Sequence, residues 1–136
     1  TGVTFCTSPM GADHTAGLVL GWKELQTQEL RNSKQAQINV AIADSLGLCI
    51  NAFIDTAFPM EKVVEVVNAQ CDLDLSYEDL QTMGKEVLKE ERSFNLNAGF
   101  GLSVERLPEY CTEEPSPPSN FVFDVPDSEL DLFWDF

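Results

Sequence analysis

The sequence predicts an all-α fold. Apolar residues recur at three- and four-residue spacing along most of the chain, and Ser, Asp, Gly and Pro stand where helices would begin and end. Strands do not alternate with helices as a parallel sheet requires. The expected architecture is an orthogonal helical domain of about five or six helices with an extended Pro-rich C-terminal tail. It is one domain over residues 1–136, with a helical body at 1–112 and a Pro-rich connector and short acidic helix at 113–136.

Residues 1–12 read as a loop, because Ser8-Pro9 and Gly11 break regular structure. Asp13 reads as the N-cap of a first helix carrying Leu18, Trp22 and Leu25 on one face. Gly17 and Gly21 leave a smooth strip on it for close approach of another backbone or a flat ligand. A second helix is expected from about Gln28 to Ala43, with Ile38, Ala41 and Ile42 as its apolar stripe, broadened by Val40. It stops near Asp44, because Gly47 suits a left-handed turn. An apolar segment follows from Ile50 to Ala57.

Beyond Pro59, Met60–Gln70 has helical spacing with Val63, Val66 and Val67 inward. Ser76 then caps the longest helix, with acids in its first turn. Leu80, Met83, Val87, Leu88 and Phe94 carry its period to Asn97, and Gly99 supplies the stop. The stretch Glu113-Glu114-Pro115-Ser116-Pro117-Pro118 reads as an extended, polyproline-like connector. Pro126 opens a short acidic helix whose Leu130, Phe133 and Trp134 pin the tail to the body.

With 43% apolar and 23% charged residues, the composition is that of a folded domain. The net charge of −15 repels phosphate backbones and anionic lipid, so neither nucleic acid nor a membrane surface is an expected partner. No apolar run approaches the ~20 residues that span a bilayer, and no basic-then-apolar leader is visible, so a cytoplasmic location is expected. Cys6, Cys49, Cys71 and Cys111 are too widely spaced for a CxxC pair, and reduced thiols are expected. With His14 as the single histidine, this chain is poorly equipped to build a metal site from its own residues.

Three segments carry candidate chemistry. In Asp44-Ser45-Leu46-Gly47-Leu48-Cys49 a carboxylate at a helix end, a glycine turn and a thiol stand together. Asp44 suits a group with adjacent N–H donors, such as a pterin edge, and Cys49 suits iron. The same residues also describe a solvated Asp, a C-cap glycine and a buried thiol. In Gly11-Ala12-Asp13-His14-Thr15, His14 is the natural proton-transfer candidate, or else an exposed first-turn histidine. Glu90-Glu91-Arg92-Ser93-Phe94-Asn95 reads as a charged outer helix face with Arg92 paired locally and Phe94 in the core. Arg106-Leu107-Pro108-Glu109 fixes the start of the tail.

Taken in order, Gly11–Thr15, Asp44–Cys49, Glu91–Asn95 and Leu107-Pro108-Glu109 resemble the C-terminal region of aldehyde ferredoxin oxidoreductases along nearly the whole chain. The D-x-x-G-L-C element is the specific match. The resemblance implies a tungsten bis-pterin (tungstopterin) beside a [4Fe–4S] cluster in the full-length enzyme, with Cys49 as fourth cluster ligand. It implies that Asp44, with backbone around Leu48, hydrogen-bonds one pterin, and that His14 lies near the tungsten. Aldehyde oxidation to the carboxylic acid, ferredoxin as acceptor and a missing N-terminal part of the same enzyme come with it. The upstream C-x-x-C-x-x-x-C run and the N-terminal cofactor-binding domain have no counterpart here. The isolated chain is therefore expected to hold no tungsten or cluster and to be inactive. The competing reading is a helical interaction module that keeps the fold without the cofactors; a free-standing thiol redox protein is a third.

Overall fold

A computed structural model of the chain describes residues 1–19, 26–52 and 59–136. Six α-helices and no strand are present among the described residues: α1 (Gly2–Thr7), α2 (Gln26–Ser45), α3 (Met60–Cys71), α4 (Tyr77–Asn97), α5 (Tyr110–Glu113) and α6 (Asp127–Leu130). Short 3-10 turns lie at His14–Ala16, Ile50–Ala52, Leu102–Val104 and Asp131–Trp134. The all-α expectation holds.

Helix α2 is the central element, packed on α1, α4, α6 and the turn at His14–Ala16. Ile38, Ala41 and Ile42 are buried together with Met60 and Val63 of α3 and Leu80 and Leu88 of α4. Gly84 of α4 sits directly on α2. A Cβ there would lie 2.8 Å from the Ile38 carbonyl oxygen and 2.9 Å from Ile42 Cγ1, so only glycine permits this approach.

A second apolar cluster joins Val3 and Cys6 of α1 to Leu30, Val125, Leu130 and Phe133. Phe133 is wholly buried and Trp134 and Phe136 reach both clusters, so the tail is pinned to the body as its apolar residues predict. Arg106 holds the same segment through ion pairs to Asp127 and Asp131, and Lys34 Nζ donates to the Leu132 and Asp135 carbonyls. The Pro-rich stretch differs in detail. Residues 116–121 close into a turn, with Ser116 N–H donating to the Phe121 carbonyl and Asn120 N–H to that of Ser116.

Four other expectations fail. Residues 2–7 are helix rather than loop, because Thr4 and Thr7 are buried beside Val3 and Cys6 and a search for apolar period overlooks buried hydroxyls. Asp13 does cap a helical turn, but the turn ends at Ala16 and residues 17–19 are not helical. Gly17 does admit the close approach of another backbone that was expected of it, that of α2, where a Cβ would sit 2.9 Å from Gln37 N. Val66 is 58% exposed and Phe94 73% exposed, because α3 and α4 are each covered on one side only. Trp22, Leu25 and Gly21 lie outside the described residues, as does most of Ile50–Ala57 beyond its opening turn. The long helix starts as its sequence predicts: Ser76 and Asp79 form a reciprocal capping box, and the Ser76 hydroxyl holds the Asp79 carboxyl below its usual range.

Candidate functional site

Helix α2 ends in a doubly closed turn. Gly47 N–H donates to the Asp44 carbonyl at 3.0 Å and Leu48 N–H to the Ala43 carbonyl at 2.8 Å, the paired bonds of a Schellman cap. Gly47 has φ +68°, which a side-chain-bearing residue adopts only at a cost. The cap fixes the backbone between Asp44 and Leu48. It leaves Asp44, Leu48 and Cys49 exposed. The Leu48 N–H is consumed by the cap, so a ligand meeting this backbone finds the Leu48 carbonyl rather than its amide.

Cys49 is a free, exposed thiol. Cys6 is its opposite: burial pushes the Cys6 thiol up to about 11 and removes it from thiolate chemistry at neutral pH. The Asp13 carboxylate accepts the Thr15 N–H at 2.8 Å, and that bond holds its pKa below the usual value. His14 stands beside it, 65% exposed, with Nδ1 3.6 Å from Asp13 Oδ1, beyond hydrogen-bond reach.

Asp44 also borders a cleft of about 230 Å³ between α2, α4 and the segment Ser8-Pro9-Met10. Gln37 lies on its lining, as does Glu91 of α4. Burial, and then the nearby Asp44 carboxylate, raise the Glu91 pKa. Ala16 lines the same cleft, but His14, Leu48 and Cys49 do not. The structure therefore joins Asp44 to Gln37 and Glu91, not to His14. Gln37 carried no sequence signal as a polar residue inside an apolar stripe; its helical spacing to Asp44 was the available clue. Arg92, read as pairing locally, reaches Glu105 at 3.0 Å and stacks over the Trp134 ring, tying α4 to the chain that follows it.

The order of these segments along an all-α chain has a direct counterpart. A family model described as "Aldehyde ferredoxin oxidoreductase, domains 2 & 3" matches residues 1–133. The chain belongs to the aldehyde ferredoxin oxidoreductase family. Tungsten-containing aldehyde ferredoxin oxidoreductases of Pyrococcus horikoshii and Pyrococcus abyssi are each 35% identical to it over 78 residues, covering 57% of this chain and 12% of the relative. The Thermococcus kodakarensis protein of the same name matches equally over 78 residues, 13% of its length. The chain thus spans a small part of the family members it matches. No solved structure matches it.

The donors present suit one wall of a larger aldehyde ferredoxin oxidoreductase centre. An exposed carboxylate can accept from a pterin's N–H edge and an exposed thiol can ligate iron. Among the described residues, no three of His, Cys, Asp and Glu gather into a group able to hold a metal ion. No described helix is long and apolar enough to cross a membrane.

Proposed function

We propose that this chain forms one wall of the tungstopterin and [4Fe–4S] site of an enzyme that oxidises aldehydes to carboxylic acids, with ferredoxin as electron acceptor. The observation that carries the reading is the rigid cap at Asp44–Leu48, which presents a carboxylate and a thiol outward in a chain of this family. Cys49 is the fourth cluster ligand. Asp44 accepts N–H groups from one pterin, with the Leu48 carbonyl beside it, and His14, free to move in solvent, exchanges a proton near the reacting carbonyl. The metal and cluster would supply, when bound, a two-electron acceptor for the conversion of aldehyde and water to carboxylic acid, two protons and two electrons, and a single-electron route onward.

The remaining partners are the preceding part of the same polypeptide, ferredoxin and the aldehyde, and the setting is the cytoplasm. The other cluster ligands come from that preceding part, so the isolated chain is inactive. In the full-length enzyme, Cys49→Ala should lose the iron of the cluster. His14→Ala should keep iron and tungsten and slow turnover roughly a hundredfold. Full iron content in the Cys49→Ala enzyme, measured by metal analysis, overturns the ligand assignment.

A further inference from the structure

Phe94 belongs to the Glu91–Asn95 motif, for which the cofactor site has no use. Its helical period points inward, yet its ring is 73% exposed. It does not stand alone. Met10 lies beside it in a shallow depression that Pro9 and Asn95 also line. Met10 and Asn95 in turn border a hollow of about 420 Å³, with Phe100 and Val104 on its wall. Met10, Phe100 and Val104 are each more than half exposed. One face thus holds four large apolar side chains in water, and contiguous surface of that kind marks an interaction site.

The backbone under this face is fixed, with Asn95 at its centre. The Asn95 side-chain amide donates to the Pro9 carbonyl at 2.8 Å, and Met10 N–H donates to the Ser8 hydroxyl at 3.2 Å. The Asn95 carbonyl accepts the Phe100 N–H at 2.9 Å, and Gly99 N–H donates to the Leu96 carbonyl at 3.0 Å. Those last two bonds are a Schellman cap, closed by Gly99 at φ +94°. Met10 and Phe100 are therefore held outward by hydrogen-bonded backbone. A face formed in advance loses little conformational freedom when a partner covers it.

The surroundings say what covers it. Pro9, Met10 and Glu91 also border Asp44, in the cleft beside the end of α2. The apolar face is thus continuous with the wall given to the cofactor site, which the preceding part of the polypeptide has to reach. The stretch matched in the Pyrococcus horikoshii relative is 12% of that protein, so family members hold far more chain than is seen here. Glu90 and Glu91 stand on the rim of the depression, no Lys or Arg lines it, and the chain carries a net charge of −15.

We propose that the face at Met10, Phe94 and Phe100 docks the preceding part of the same polypeptide. The surface it meets is apolar, with Lys or Arg opposite Glu90 and Glu91. This docking takes its partner from the oxidoreductase reading but needs neither metal nor cluster. Phe94 is then a core residue of the larger protein, where its helical period puts it.

The test is hydroxyl-radical footprinting, read by mass spectrometry, of the 136-residue chain and of the full-length enzyme. Met10, Phe94 and Phe100 should oxidise about tenfold more slowly in the full-length enzyme, where the interface excludes water. Phe94→Ser together with Phe100→Ser should restore most of the Met10 rate there. In the 136-residue chain the same two changes should leave the unfolding midpoint in place, because both rings are exposed. A fall in that midpoint would put the rings in this chain's own core and overturn the docking. Equal Met10 rates in the two proteins overturn it, as does a Met10 rate that stays low in the double variant. Protection already present in the isolated chain and lost on dilution assigns the face to a second copy, and overturns it too. Iron content separates the two readings. Iron retained in Cys49→Ala with Met10 protected breaks the ligand assignment alone; iron lost, with Met10 reactive in the unaltered enzyme, breaks the docking alone.

Discussion

Along one face of α2, Ile38 and Ile42 meet Gly84 of α4 so closely that no Cβ fits between the helices. Along the neighbouring face, Gln37, Val40 and Asp44 stand off from Val87 and Glu91 and leave a cleft. The same two helices form both seams. The difference lies in what each would have to bury: the first closes over methyl groups and a bare Cα, while the second would have to strip water from two carboxylates. A helix pair can thus be held firmly along one stripe and remain open along the next, and the closed stripe keeps the open one in shape.

Forcing the closed seam should have the largest effect. Gly84→Val drives a side chain into the Ile38 carbonyl and should cost about 3 kcal/mol, read from denaturant unfolding. A neutral result would mean that the seam is not the rigid partner of the pair. Next comes the floor beneath the open seam. Thr4→Val strips the Gly17 carbonyl and the Ser33 hydroxyl of their partner, at a cost of about 2 kcal/mol. A loss near zero would show that the Thr4 hydroxyl does not hold that floor together.

The smallest effect comes from Cys6, in the other apolar cluster. Its folded pKa is raised from 9.0 to about 11, so the unfolded chain releases the thiol proton first as pH rises. Stability should fall by about 1 kcal/mol between pH 9 and 10, a slope absent from Cys6→Ala. An equal slope in both proteins would contradict the burial of that thiol.

Much of the fold was legible in the sequence. The capping box at Ser76, the glycine stop at Gly47 and the apolar spacing of Leu130 and Phe133 are local signals, and each stands where residue type alone placed it. Helix α1 was missed because Thr4 and Thr7 are buried by bonding their hydroxyls, which no pattern of apolar residues reports. Phe94 was expected inside and lies outside because α4 has a partner on one side only. Of the candidate site, the sequence marked Asp44, Leu48, Cys49 and His14 singly. It did not show that Asp44 shares a cleft with Gln37 and Glu91 while His14 stands apart from it.

By itself, then, the sequence determined α2, α3, α4 and the short helix α6, the cap at Ser76, the turn at Asp44–Cys49 and the family, because these rest on neighbours within a few residues or on motifs read in order. Tertiary structure alone decided which face of α2 closes and which stays open. That choice depends on the depth at which Gly84 lets α4 approach, and on the Thr7 hydroxyl of α1, which meets Gln37 of α2 only once those helices are packed.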